Sequence, residues 1–225
     1  MNPNNANKID NLYGKHAGQP IFVMGNSYSL REMDLTPLND FITIGVNRIL
    51  TVFQPTYLFV VDRMVVHDEA RRMAAAVPKT TILLYPSALS CAARGLYKGP
   101  YLTIPPITCK VDPRTKMGAL SIGRVGNTCY EAAQLAYRMG AREIIFAGLD
   151  LSHQPFKPTH CMGFTPSCCK MRDPDKQVEQ FRELKQLYEE CGVEVFSCSP
   201  WKSKLRKALG YVPLADLQRR LKESS

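Results

Sequence analysis

Short, nearly continuous apolar runs constrain this chain more than any other feature. They fall at Pro20–Met24, Phe41–Val46, Tyr57–Val61, Thr81–Tyr85, Glu143–Ala147 and Val193–Cys198, and stretches of helical periodicity separate them. A strand with apolar side chains on both faces must be covered on both, as in a parallel sheet held between two helical layers. Parallel neighbours need crossover connections long enough to hold a helix. The pattern predicts an α/β fold, a doubly wound and mostly parallel sheet. Ligands of such sheets bind outside the carboxyl ends of the strands.

The helices have readable ends. Ser29-Leu30-Arg31-Glu32 and Thr128-Cys129-Tyr130-Glu131 fit the capping box, in which hydroxyl and carboxylate satisfy reciprocal backbone donors. After Thr128, the positions Cys129, Ala132, Ala133, Ala136 and Met139 trace one helical face, and Gly140 ends it. Asp173-Pro174 reads as an N-cap followed by proline at the first helical position. Val178, Phe181, Leu184, Tyr188 and Cys191 follow as an apolar stripe that Gly192 closes. Two segments lack this order. Ser87–Gly126 is rich in Gly and Pro, and His153–Met171 has no clear period and reads as a lid inserted before the last long helix. The expected organisation is an extension over 1–19, a single α/β domain over 20–212 with a lid at 153–171, and a basic helix or tail over 213–225.

Composition narrows the partners. A chain of 225 residues can bury a sizeable core, and no apolar run approaches the roughly 20 residues a membrane-spanning helix needs. Met1–Lys8 is rich in Asn and lacks the basic and apolar regions of a secretory signal, so a cytoplasmic location is expected. Several of the eight cysteines fall inside apolar periodic segments, which favours free buried thiols over disulfides. The net charge of +9 concentrates late, at Lys202, Lys204, Arg206, Lys207, Arg219, Arg220 and Lys222. Such a surface suits anionic partners such as nucleotides, nucleic acid including DNA, acidic glycans or a membrane face, or else forms a solvated helix face.

Polar residues cluster where strands end. The first runs into Gly25-Asn26-Ser27, where glycine permits close backbone approach and the following helix start offers unpaired N–H groups to an anion. The second ends in Asn47-Arg48, an amide and a cation suited to base, ribose or phosphate. Asp62 closes the third and reads as a ribose ligand, a metal ligand or a helix cap. Arg124-Val125-Gly126-Asn127-Thr128 leads into a capped helix with an arginine beside it, and Glu143–Ala147 ends in Gly148-Leu149-Asp150. No G-x-G-x-x-G and no P-loop is present. The lid holds His153, His160, Cys161, Cys168 and Cys169. Imidazole and thiolate are zinc's preferred donors, although the spacing of His160, Cys161, Cys168 and Cys169 matches no common knuckle. A lid histidine also suits general-base work near neutral pH.

Gly25-Asn26-Ser27-Tyr28-Ser29-Leu30 resembles the "GNGPSL" opening of the family 42 bacterial sialyltransferases and of the MptE-like pterin diphosphokinases. Asn47 falls where those transferases carry an Asn after their second strand. Arg124 to Tyr130 is similar to their "R-I-T-S-G-V-Y", Ile144 to Asp150 to "I-Y-L-S-G-I-D", and Cys198-Ser199-Pro200-Trp201-Lys202-Ser203 to a "C-P-N-S" segment that approaches the donor. The resemblance covers roughly residues 20–62 and 120–205. It implies a Rossmann-like, GT-A-type domain whose nucleotide is held by Gly25, Asn26, Ser27, Asn47, Asn127 and Thr128, with Asp62, Asp150 and Ser199 beside it. Where the transferases place a catalytic histidine before the last long helix, this chain has Cys169-Lys170-Met171-Arg172, which leaves His160 and His153 as candidate bases.

The first functional expectation is a glycosyltransferase that uses a nucleotide-sugar donor and acts on a hydroxyl of an acceptor whose anionic character the basic charge suggests; the resemblance to the sialyltransferases implies that it needs no metal. Arg124 would offset charge on the leaving phosphate. The alternative is an ATP-dependent diphosphokinase with magnesium on Asp62 and Asp150. A binding module for nucleotide or nucleic acid, without catalysis, is the third.

Overall fold

The computed structural model describes residues 10–104, 106–107, 122–123, 126–151, 160–162, 173–199 and 203–223. The strands are β1 (Pro20–Met24), β2 (Ile42–Val46), β3 (Tyr57–Val60), β4 (Thr81–Leu84), β5 (Leu102–Thr103), β6 (Pro106–Ile107), β7 (Ile122–Gly123), β8 (Glu143–Ala147) and β9 (Glu194–Ser197). The α-helices are α1 (Arg63–Ala76), α2 (Pro86–Ala93), α3 (Thr128–Arg138), α4 (Pro174–Glu190), α5 (Leu205–Leu209) and α6 (Leu214–Glu223). Seven strands form one sheet in the order β5-β4-β3-β2-β1-β8-β9. Every neighbouring pair is parallel. The pair β6 and β7 stands apart as a second, two-stranded sheet.

All six apolar runs are strands of the large sheet. The seventh, β5, lies in the Gly- and Pro-rich stretch, and its two residues carry no readable period. The same stretch also holds α2, entered through Pro86.

Strand side chains alternate between two cores, as the pleat requires. Ile21, Val23, Ile44, Phe59, Ile144 and Phe146 face α3 and α4 in one core. Phe22, Met24, Leu58, Val60, Ile145 and Ala147 face α1 and α2 in the other. On the first side Phe181 fits edge-on against Tyr130 and Phe146, with ring centroids 5.6 and 5.2 Å away. This burial on both faces is why the strands read as continuous apolar runs. The basic C-terminal stretch includes the docked helix α6, whose Leu217 is fully buried and whose Arg220 pairs with the buried Glu143. Among the described residues no helix is long and apolar enough to cross a membrane.

Five of the eight cysteines are described, and all five are free: Cys91, Cys129, Cys161, Cys191 and Cys198. Complete burial pushes the thiols of Cys129 and Cys198 up to about 12, so both stay protonated and pack as small apolar groups.

The N-terminal segment closes the far end of α3. Gly14, His16 and Gly18 donate backbone N–H groups to the carbonyls of Arg138, Met139 and Gly140. These are the acceptors a helix leaves unpaired at its end. His16 also places Nε2 at 2.8 Å from the Tyr57 hydroxyl and Nδ1 at 3.2 Å from Gln19 Oε1. Burial holds its pKa below the ordinary 6.5, and Lys15 adds to that, against the bond to Gln19. A lowered histidine pKa means that the unfolded chain takes the proton first. Its contribution to stability is therefore intact above about pH 6.5 and lost as pH falls through the lower folded value. Thermal melts of wild type and His16→Gln should diverge less at pH 5 than at pH 7.5. Parallel curves across that range would reject the role.

Candidate active site at the carboxyl edge

Strand order reverses direction between β1 and β8, which makes the carboxyl ends of these two strands the switch point of the sheet. Met24 pairs with both Gly45 and Ala147, so the loops after β1, β2 and β8 leave the sheet at one level. Gly25 donates its N–H to the Ala147 carbonyl at 2.8 Å, and Ser27 to that of Gly148 at 2.9 Å. There is no space for a side chain at Gly25: a Cβ there would lie 2.2 Å from the Gly148 carbonyl oxygen. Glycine is thus required by close approach of two backbones. Asn26 donates Nδ2 to the Val46 carbonyl at 3.0 Å and joins the first loop to the second. Its Oδ1 is buried and has no hydrogen-bond partner among the described residues.

Asn47 holds the third corner. Its φ of +49° lies in the left-handed region, which asparagine tolerates better than most residues. Oδ1 accepts from the Val61 amide at 3.3 Å, and Nδ2 donates to Thr128 Oγ1 at 3.2 Å. The capping box expected at Thr128 is shifted by one residue. Asn127 is the N-cap, and its Oδ1 accepts from the amides of Cys129 and Tyr130 at 2.9 and 3.3 Å. Glu131 reaches back to the Gly126 amide at 3.3 Å. Asn127 takes the cap, and the Thr128 hydroxyl meets Asn47 instead. Asn127 Nδ2 donates to Gln177 of α4 at 2.6 Å, so both ends of this amide are engaged.

The capping box expected at Ser29 does not form. The segment Tyr28–Glu32 is a short 3-10 turn without a side-chain cap. Ser29 instead turns to Asp150, donating Oγ at 2.6 Å to Oδ1 and its amide at 3.2 Å to Oδ2. The Asp150 amide in turn donates to Ser27 Oγ at 3.0 Å. Asp150 is buried and clamps the first loop to the last. Asp62 is exposed and caps α1, accepting from the Met64 amide at 2.9 Å. For the magnesium alternative, both Asp150 oxygens are already occupied by Ser29. No group of three His, Cys, Asp or Glu side chains able to hold a metal gathers among the described residues. Ser199 is fully buried below the rim, with Oγ accepting from the Leu149 amide at 3.2 Å.

His160 belongs to the same loop cluster. It forms an isolated antiparallel bridge with Ser27, and the next amide, Cys161, donates to the Asn26 carbonyl at 2.8 Å. Arg31 Nε fixes this strand from below through the Cys161 carbonyl. Half-burial lowers the His160 pKa below 6.5, and the nearby charge of Arg48 lowers it further. Arg48 itself pairs with Asp68 and Glu69 on α1. Of the zinc set, Cys161 is fully buried in the second core, where burial pushes its thiol up. Arg124, His153, Cys168 and Cys169 lie outside the described residues.

Gly25, Asn26, Ser27, Asn47, Thr128, Asp150 and His160 therefore meet at one edge, linked by direct contacts across long stretches of sequence. Ser29, Arg31 and Gln177 complete the framework. Ser29 and Arg31 read from the sequence only as part of a local capping box, and Gln177 as a helix residue, because their partners are remote along the chain.

No family model matches the chain, and no curated protein matches it. A solved structure of the sialyltransferase CstII from Campylobacter jejuni, in complex with the substrate analogue CMP-3FNeuAc, is similar to it with a TM-score of 0.53. The match spans 88% of each chain at 12% identity. This chain thus shares a Rossmann-like α/β fold with a glycosyltransferase over nearly its whole length.

Proposed function

We propose that the protein is a glycosyltransferase of the GT-A type that takes a sugar from a nucleotide-sugar donor and passes it to an acceptor hydroxyl. The observation that carries this reading is the convergence of Gly25–Ser27, Asn47 and the start of α3 at the switch point of the sheet. The donor's nucleoside and phosphates would lie across these loops. The fold shared with a sialyltransferase bound to a CMP-sugar analogue supports the same class of donor.

In the reaction, the bond between the anomeric carbon and the donor phosphate oxygen breaks, and the nucleotide leaves with the electron pair. The acceptor oxygen bonds to that carbon, and its proton passes to His160, the general base. Arg124, just ahead of Asn127 in sequence, offsets charge on the departing phosphate.

The test is nucleotide release from CMP-, UDP-, GDP- and ADP-sugars by wild type and Asn47→Asp. Aspartate keeps the acceptor that Val61 uses and tolerates the left-handed backbone, but it loses the donor to Thr128 and faces the phosphates with a negative charge. Donor KM should rise about tenfold or more, the cost of one charge-assisted contact, with the melting temperature nearly unchanged. Equal KM would place the donor elsewhere. Magnesium-dependent AMP release from ATP, with no sugar-donor turnover, would favour the diphosphokinase instead.

A further inference from the structure

A groove of about 750 Å³ runs between the first turns of α4 and the short helix α5, and its walls carry Arg182, Lys204, Arg206 and Lys207 against a single acid, Asp175. All four cations are exposed. Lys204 Nζ is 2.7 Å from Asp175, and Arg182 pairs with Glu179, outside the groove lining. Arg206 and Lys207 are in no ion pair among the described residues. Arg206 instead lies 4.2 Å over the Tyr211 ring, which orders its guanidinium and leaves it without an acid partner among the described residues.

The groove opens beside the candidate active site. Ser203 Oγ donates to the Leu149 carbonyl at 3.0 Å, and the Lys204 amide to that of Asp150 at 2.9 Å. Gln177, the neighbour in sequence of the lining residue Val178, holds Asn127. A ligand in the groove is therefore within one loop of the rim where the donor would bind.

We infer that this groove holds the sugar–phosphate backbone of a single-stranded nucleic acid, which presents the acceptor hydroxyl to the rim. The inference rests on the glycosyltransferase reading for its acceptor role, though not for binding itself. Among the described residues, no aromatic ring and no amide side chain lines the groove, so these walls offer neither the stacking platforms nor the planar amides that recognise sugar rings. What it offers is cationic side chains, the equipment that positions a phosphodiester chain without reading its bases. The chain's net charge of +9 favours the same partner over distance. A single strand fits better than a duplex, whose stacked bases would first have to be extruded before a hydroxyl on one could reach the rim.

The experiment measures binding of a fluorescent twelve-nucleotide DNA strand by anisotropy across a salt series, for wild type and Arg206→Gln/Lys207→Gln, alongside donor hydrolysis. Each phosphate neutralised on a single strand contributes about −0.7 to the slope of log K against log salt. Losing two cations should make that slope shallower by about 1.4 and weaken binding, with donor hydrolysis and melting temperature unchanged. An oligosaccharide of equal length with one carboxylate per sugar should bind more weakly. Absence of DNA binding at low salt, identical slopes in both proteins, or equal affinity for the carboxylated oligosaccharide would each overturn the inference. DNA binding with no turnover of any sugar donor would sink the proposed activity and leave the groove assignment standing.

Discussion

His160→Gln is expected to reduce donor-to-acceptor transfer by about 10²–10⁴-fold, the usual worth of a positioned general base, while nucleotide-sugar binding stays intact. The backbone bridge to Ser27 that places residue 160 survives the substitution, so the loss should fall on kcat rather than on donor KM. The pH profile separates a base from a merely structural histidine. Burial and then the Arg48 charge hold this imidazole's pKa below 6.5. A base works in its neutral form, so wild-type kcat/KM should stay level down to about pH 6.5 and decline only below it. Arg48→Met removes the second of those two causes and should move the acid limb upward by a small amount, since burial is the larger one. A His160→Gln enzyme with wild-type turnover and an unchanged acid limb would show that the proton goes elsewhere.

Gly25→Ala should be strongly damaging. The new Cβ would stand 2.2 Å from the Gly148 carbonyl oxygen and 3.2 Å from Cys129 Sγ. The first of these is backbone, so no rotamer can relieve it, and the loops after β1 and β8 must separate. Overpacking of this kind costs about 1–3 kcal/mol, which at this chain length lowers Tm by roughly 2–4 °C per kcal/mol. The loops that separate are those proposed to hold the donor, so donor hydrolysis should fall to background in protein that remains folded. Gly192→Ala is the matched control. Its φ of +77° imposes left-handed strain but nothing lies within 4 Å, so it should cost about 1 kcal/mol and spare activity. Equal melting and equal donor turnover in Gly25→Ala and wild type would contradict the packing that defines the site.

The capping expectations show where local reading stops. Asp173 caps α4 as its sequence predicts, accepting from the Asp175 and Lys176 amides at 3.0 and 3.3 Å, because cap and donors lie within one turn. Ser29 has the same local credentials and fails, since a buried carboxylate 121 residues away competes for its hydroxyl at 2.6 Å. Thr128 yields its cap to Asn127 and pairs with Asn47, 81 residues distant. In both cases a short-range pattern lost to a partner that only the folded sheet supplies.

Sequence by itself determined the α/β class, the six long strands and the set of polar strand ends, because burial on two faces and helix stop signals are written in neighbouring residues. It could not order the strands, and so could not place β1 between β2 and β8 or reveal that Gly25 meets Gly148. Tertiary structure alone decided that Asp150 clamps loops rather than standing open at the rim, that Arg48 turns to α1, and that α4 and α5 enclose a basic groove. Each of those outcomes depends on which strands lie side by side, a choice made by long-range packing that no local stretch of the chain encodes.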